Sequence, residues 1–383
     1  MSASKTRFAF VSAMGGSPWG GSEELWSQAA GRLATEGYPV AASVHFWGRL
    51  HPNLEALEKA GAVLQRRAPN SLLWQRGLAQ LLRQPWAPFA SRWAKRLLLR
   101  LHPTFVCISQ GAASDGLHWM LACLEAGVPY VVIAHSVSPW LWPQDEIAEQ
   151  LLRGYQGAKR CFFVSGKSKE LFEDQVGEEL TNARVVRNPF KVPYDVNLPW
   201  PDCALGWRLA CLGLLEPTTK GQDLLLRVLG KDKWRQRPIK VSLYGGGPCE
   251  GTLRRMHKRL GLENVEFKGQ TEDIAQVWKE NHALLITSRV ENMPLALVEA
   301  MLCSRVPIVP DVGGITELVE HGRNGFVAPA PTVELLAAVL EEAWQRREDW
   351  EAMGMAARKR VVSLVPPDPV KDFCEQLLAL AAS

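Results

Sequence analysis

Residues 282–311 read HALLITSRVENMPLALVEAMLCSRVPIVPD. The stretch holds two apolar runs, HALLITS (282–288) and VPIVPD (306–311), with a segment of helical length between them. Pro294 suits the first turn of that helix, where the N–H it lacks has no helical partner in any case. Glu291 falls in the loop before the helix and Glu299 inside it. One carboxylate therefore stands at the mouth of the helix and the other more than a turn deeper. Near-continuous apolar strands joined through a helix predict parallel neighbours in a sheet covered on both faces.

The same alternation runs outward. RLACLGL (208–214), KVSLYG (240–245) and VEFKG (265–269) precede the stretch in one group. RFAFVSA (7–13), VAASVHF (40–46), TFVCIS (104–109), YVVIAHS (130–136) and CFFVS (161–165) form an earlier one. Ser22 suits the N-cap of the first helix, and Gly37 follows its end. Between the groups KVPYDVNLPWPDCALGW (191–207) has three prolines and no period, and reads as a linker. After Pro366 and Pro367, PVKDFCEQLLALAA reads as a terminal helix. The predicted organisation is an α/β chain of two doubly wound, Rossmann-like domains. Residues 1–195 form the N-terminal domain, 196–207 the linker and 208–365 the C-terminal domain; the helix within 366–383 packs back toward the N-terminal domain. A chain of 383 residues fits two or three domains of roughly 150 residues. Two such sheets facing each other across a cleft would line it with loops that follow strands, where ligands of open parallel sheets bind.

Composition excludes several classes. With 47% hydrophobic and 22% charged residues the chain is not disordered. No stretch approaches the roughly 18 consecutive apolar residues of a membrane span. MSASKTR lacks the apolar core of a secretory signal, so a cytoplasmic protein is expected. The eight cysteines are scattered without a CxxC pair and read as small buried hydrophobes in a reducing compartment. The histidines show no metal-ligand spacing and there is no DxD pair, so no metal is expected.

Four loops carry chemistry. AMGGSPWGGSEELW opens the first helix, and Gly15, Gly16, Gly20 and Gly21 let main chain approach a ligand beside the free N–H groups of a helix start; such a loop is equally often only a tight turn. In LEPTTKGQDLLL, Lys220 precedes Gly221 and can reach a diphosphate as a point charge, or be a solvated surface lysine. YGGGPCE places Gly245, Gly246 and Gly247 after a strand, where a nucleotide can lie close to main chain. In SRVENMPLALVEAM, Glu299 can accept two hydrogen bonds from a ribose diol, and the amides near Met293, Pro294 and Leu295 (Pro294 itself has none) can face an anion.

Seven pieces occur in order: WGGSEELW, the histidine of VVIAHS, KGQDLLL, YGGGP, VEFKGQTEDI, SRVENMPLALVEAM and DVGGITELVEHGRNGF. Together they resemble a retaining glycosyltransferase of family 4 with the GT-B fold, over nearly the whole chain. The resemblance implies metal-independent transfer of a sugar from a nucleotide-diphosphate sugar, such as a UDP- or GDP-sugar, to a glycan, glycolipid or polysaccharide acceptor. It implies no cofactor beyond the donor. By position, Glu299 would hold the ribose and Lys220 the diphosphate. Glu291, Asn292 and the amides beside Met293, Pro294 and Leu295 would hold the donor sugar. The base would rest near Gly246, Gly269 and Gln270. Gly20 and Gly21 would approach the phosphate from the N-terminal domain, which would bind the acceptor. His135 would contact the sugar near the reacting carbon, the alternative being a satisfied core imidazole. His135, Glu291 and Lys220 are thus the candidate catalytic residues. Leu214 stands where the family usually has an arginine, a charged hydrogen bond whose loss costs about 1.5–3 kcal/mol. Arg208 and Arg289 are candidate replacements, and Asn292 stands where glycine is common. A catalytically silent relative that binds sugars or partners is the alternative function; the motif order argues against a third reading, a nucleotide-sugar epimerase.

The net charge of +4 is uneven. Between Glu58 and Asp115 there are nine basic residues and no acidic one. The tract 71–102 mixes leucines with Arg76, Arg83, Arg92, Lys95, Arg96, Arg100, Trp74, Trp86 and Trp93. A basic amphipathic segment of this kind can lie on an anionic membrane surface, meet an anionic acceptor, or present a solvated face. Nucleic acid is not expected, since no binding motif accompanies the charge. Trp19, Trp47, Trp140 and Trp142 lie in or near loops, where flat rings suit sugars or simply pack.

Overall fold

The structure is a computed structural model that describes residues 5–68, 86–204 and 206–383. They fall into two compact units, Met1–Pro189 with Asp368–Ser383, and Phe190–Pro367.

Unit 1 carries a seven-stranded sheet: β1 Phe8–Ser12, β2 Val40–His45, β3 Val63–Arg67, β4 Phe105–Ala112, β5 Tyr130–Ser136, β6 Arg160–Phe163 and β7 Ala183–Val185. Their spatial order is β3-β2-β1-β4-β5-β6-β7, and every pairing is parallel. Both faces are buried, as the continuous apolar strands require. Val106, Ile108, Val132 and Ala134 belong to one core cluster, while Phe105, Cys107, Val131 and Ile133 belong to the other. The helix Gly21–Thr35 covers the second face with Leu25, Trp26, Ala29, Ala30 and Leu33. The terminal helix Pro369–Ala382 packs beside it: Phe373 meets Phe162 edge-on at 5.3 Å. Asp368 caps that helix through Lys371 N and pairs with Arg32 at 2.7 Å.

Unit 2 carries six parallel strands: β8 Trp207–Leu212, β9 Ile239–Tyr244, β10 Val265–Gly269, β11 Ala283–Leu285, β12 Val306–Pro310 and β13 Phe326–Ala328, in the order β10-β9-β8-β11-β12-β13. The chain winds outward from β8, then returns to β11 beside it and winds the other way. The gap between β8 and β11 is therefore a topological switch point, where strand-end loops diverge and leave room for a ligand. In unit 1 the corresponding point lies between β1 and β4.

The structure departs from the sequence reading in several places. HALLITS yields only the short β11, although Ile286 N still donates to Ile308 O at 3.0 Å. Pro294 is the N-cap of the helix Leu295–Leu302, with ψ 128°, and not part of its first turn. Gly20, not Ser22, is the N-cap of the first helix, while Gly37 closes its end at φ +81°. Residues 190–206, read as partly linker, count with unit 2. They are bonded to it by side chains whose partners lie far along the chain. Arg358 donates to Tyr194 O and Val196 O, and Arg305 to Pro199 O. β3, β7 and β13 were not read from the sequence. VLQRR is polar because it lies at a sheet edge, and the other two are three residues long.

Six of the eight cysteines, Cys107, Cys123, Cys161, Cys211, Cys303 and Cys374, are buried, and all eight are free thiols. Among the described residues no helix is long and apolar enough to cross a membrane. Residues 71–85, the first half of the basic tract, lie outside the described residues. In the helix Trp86–Arg100 that follows, Ala90, Ala94 and Leu98 are buried while Arg92, Arg96 and Arg100 are exposed. That spacing of four makes one solvated basic face.

Candidate functional site

At the carboxyl ends of β8, β9, β10, β11 and β12 the loops of unit 2 are drawn together so closely that side chains are excluded. After β8 the chain turns through Gly213 (φ +155°) and enters a one-turn helix, Pro217–Lys220, capped by the Glu216 carboxylate on Thr218 N and Thr219 N. Burial opposes the charge on Glu216, yet its bonds from Thr219 and Thr218 hold the carboxyl below its usual range. Gly221 ends that turn at φ +66° and starts the next helix, Gln222–Leu229. A Cβ at Gly221 would overlap the Thr287 carbonyl, so only glycine lets these two loops meet.

This contact delivers Lys220 to Glu291. The Lys220 Nζ lies 2.6 Å from Glu291 Oε1, bridging the loops on either side of the β8/β11 switch point. Ser288 Oγ donates to the same carboxylate oxygen at 2.8 Å. From β12, Gly313 (φ +52°) packs so tightly beneath this loop that a Cβ would overlap the Glu291 carbonyl, and Gly314 N donates to Asn292 O at 2.8 Å. Met293 and Asn292 are buried, and Leu295 begins the helix. Glu299 is buried in it, and one of its oxygens accepts from Lys191 N at 3.0 Å. On the other side of Lys220, Gly245 N donates to Gly269 O at 2.7 Å, and a Cβ at Gly245 would overlap the Gly213 carbonyl. Gln270 lies against Gly246. Lys220, Gly246, Gly269, Gln270 and the segment Glu291–Glu299 thus share one edge of one sheet.

Leu214 is half exposed in the same loop. Neither candidate replacement for an arginine there is free. Arg289 is held by both oxygens of Asp223 at 2.7 and 2.9 Å and by Pro217 O at 2.6 Å. Those bonds to Asp223 raise the guanidinium's pKa further. Arg208 stands at the amino-terminal end of β8, remote from the loops, and donates to Glu280 O and Asp202 O. The expectation for both is corrected: Arg289 braces the lysine loop and Arg208 ties down the opposite edge.

In unit 1, Gly20 and Gly21 stand at the start of the first helix, and Gly20 packs on Met14. His135 is the next-to-last residue of β5, on the face covered by that helix, and is buried there. Burial pushes its pKa down to about 3, so the ring is neutral. Ser109 Oγ lies 3.2 Å from its Nε2. Beside it Glu23 accepts from Ser12 Oγ at 3.1 Å and Trp26 Nε1 at 3.0 Å, and burial raises its pKa to about 7. On the opposite face Arg67 is buried and donates to Ser12 O and Ser43 O, while His45 bonds Met14 O at 2.9 Å. Sequence reasoning missed Ser109, Glu23, His45 and Arg67. A strand-end position signals His45, which closes β2, whereas Ser109 lies within β4; nothing local marks an arginine in VLQRR as buried. Trp19 stacks on His51 at 3.9 Å and is tied to Glu24, whereas Trp140 and Trp142 are 74% and 61% exposed. Among the described residues no three His, Cys, Asp or Glu side chains are grouped to hold a metal ion.

A family model described as Glycosyltransferase Family 4 matches residues 19–192, and one described as Glycosyl transferases group 1 matches residues 207–360. The chain belongs to the family 4 glycosyltransferases. Among curated relatives of this glycosyltransferase is the GDP-mannose-dependent α-(1-6)-phosphatidylinositol monomannoside mannosyltransferase of Mycolicibacterium smegmatis, 30% identical over 57% of this chain and 61% of that one. The N-acetyl-α-D-glucosaminyl L-malate synthase of Bacillus anthracis is 32% identical over 32% of each chain. The matched stretch thus spans about a third to three fifths of these relatives. Among solved structures, Anabaena HepE in complex with UDP and glucose superimposes with a TM-score of 0.73 at 20% identity, over 98% of this chain and 99% of that one. Sucrose-phosphate synthase from Thermosynechococcus elongatus gives a TM-score of 0.73 at 16% identity, over 98% and 100%. These likenesses show the GT-B fold, with its two Rossmann-like units.

Proposed function

We propose that this glycosyltransferase moves a sugar, with retention of configuration and without a metal, from a nucleotide-diphosphate sugar to a glycan, glycolipid or polysaccharide acceptor. The observation that carries the reading is the Lys220–Glu291 pair astride the switch point of unit 2, with glycine main chain on both sides. In the proposed complex Lys220 and the first amides of the helix Leu295–Leu302 stabilise the charge that gathers on the departing diphosphate. Such preorganised donors act without reorganisation as the anomeric carbon becomes cationic. Glu291 exchanges Lys220 for hydroxyls of the donor sugar, and Glu299 holds the ribose. The base rests on Gly246, Gly269 and Gln270. Gly20 and Gly21 bind phosphate, and His135 binds sugar.

The complexes of HepE with UDP and with UDP-glucose support a nucleotide-sugar donor on this fold. The acceptor belongs to unit 1, where the exposed rings of Trp140 and Trp142 suit a carbohydrate. The basic tract 71–102 is proposed as a contact for an anionic membrane on the cytoplasmic side; sedimentation with anionic liposomes at low salt and release at high salt are expected.

The direct test is release of nucleoside diphosphate from UDP-, GDP- and ADP-sugars in the presence and absence of EDTA. Release from one of them, unaffected by EDTA and lost in Lys220→Met, is expected. Neither release nor binding across the panel would instead mark a catalytically silent relative.

A further inference from the structure

The hydrogen bonds around His135 fix which ring nitrogen bears its proton. Ser109 lies within β4, beside β5, and places its Oγ 3.2 Å from His135 Nε2 and 3.2 Å from the carbonyl oxygen of Ser22. Ser109 is buried, with no solvent to turn toward. A serine hydroxyl has one proton, and a carbonyl can only accept. With that proton given to Ser22 O, Ser109 faces the imidazole as an acceptor, and Nε2 must carry the hydrogen. The burial that lowers the ring's pKa keeps it to a single N–H. Nδ1 is then a bare lone pair, and it is buried with no hydrogen-bond partner. Buried polar atoms are seldom left unpaired, and one that is calls for a ligand or a function.

We propose that Ser109 is a positioning residue that locks His135 in the Nε2–H form, so that Nδ1 accepts a hydrogen bond from a hydroxyl of the bound sugar. The assignment of a sugar as ligand rests on the function proposed above; the lock itself does not. The lock has a chemical consequence. A lone pair repels phosphate oxygens, so His135 reads a hydroxyl and does not neutralise the diphosphate. The helix that supplies the Ser22 carbonyl also couples the glycine loop to this choice, because a shift of Ser22 would free the Ser109 proton.

The test is a long-range proton–nitrogen correlation spectrum of the full chain, 15N-labelled at histidine, with His135→Gln identifying the ring. The wild type should show Nδ1 as an unprotonated ring nitrogen and Nε2 as a protonated one. In Ser109→Ala the two should move toward each other as the forms interconvert, and Ser109→Thr, which restores a hydroxyl, should return them. A protonated Nδ1 in the wild type, or a ring unmoved in Ser109→Ala, overturns the lock whatever the activity. Addition of a mixture of UDP-, GDP- and ADP-sugars should shift Nδ1, and a mixture of UDP, GDP and ADP should not. An equal shift with both overturns the hydroxyl assignment. No shift with either overturns it too, while the lock stands. In the transfer assay Ser109→Ala should lower kcat/KM about five- to tenfold with Ser109→Thr recovering most of it, the size of one lost hydrogen bond.

Discussion

Replacing Glu291 by glutamine should tighten the binding of a free nucleoside diphosphate while slowing transfer. The ammonium of Lys220 sits 2.6 Å from the Glu291 carboxylate, whose side chain is 9% exposed against 30% for the lysine. A diphosphate must therefore compete with a carboxylate already in place. Exposed ion pairs are worth about 0.2–1 kcal/mol, and breaking a fully buried one costs about 3–5 kcal/mol. This half-screened pair lies between, so about 1–2 kcal/mol of attraction is released to the incoming anion. That corresponds to a Kd about five- to thirtyfold lower. Glutamine keeps the shape and the bond from Ser288 Oγ, so the loop should hold its place. Calorimetric titration of UDP, GDP and ADP into wild type, Glu291→Gln, Lys220→Met and the double variant measures it. The gain should vanish in the Lys220→Met background, and nucleotide sugars should not share it, because Glu291 is placed on the sugar. Unchanged or weaker diphosphate binding in Glu291→Gln, or a gain that survives without Lys220, would refute the reasoning.

Other outcomes follow from the same geometry. Burial raises the Asp223 carboxyl, but the bidentate bond from Arg289 outweighs it and holds the pKa below the usual value. A lowered folded-state pKa gives stability that is present above about pH 4 and lost as pH falls through the lowered value. Urea unfolding should therefore show wild type ahead of Asp223→Asn by about 1 kcal/mol at pH 7, with the gap closing as pH falls below about 4. Glu23 is the opposite case. Its pKa is raised from 4.5 to about 7, so the folded state loses stability as pH climbs from about 4.5 to 7 and is level above that. Glu23→Gln should remove that decline, gaining up to about 3 kcal/mol on wild type at pH 7.5. Gly313→Ala introduces a Cβ at φ +52° against the Glu291 carbonyl and should cost about 1–3 kcal/mol. It should also weaken nucleotide-sugar binding, which a thermal-shift titration would reveal.

Much of the fold was readable because burial on both faces leaves continuous apolar strands. VEFKG and YVVIAHS became β10 and β5 with the bounds read from the sequence. The edge strand β3 escaped because an edge needs few apolar residues. The loops that carry Lys220, Glu291 and the glycines were legible from their place after strands. What a side chain is bonded to was not. Arg289 looked available for a diphosphate, but its partner Asp223 lies 66 positions earlier. Glu299 looked free for a ribose, yet it also takes the main-chain N–H of Lys191, 108 positions away. Charge and spacing mark a group as able to bind; only the fold says what already holds it.

The central claim is that the carboxyl-end loops of unit 2 grip the nucleotide diphosphate. Hydrogen–deuterium exchange of the full chain, with and without the nucleotide that the release assay selects, tests it most directly. Slowed exchange at residues 213–221, 245–247 and 291–299 is the predicted result, and it should disappear in Lys220→Met. Protection confined to other parts of the chain, with those three loops unchanged by saturating nucleotide, would contradict the account.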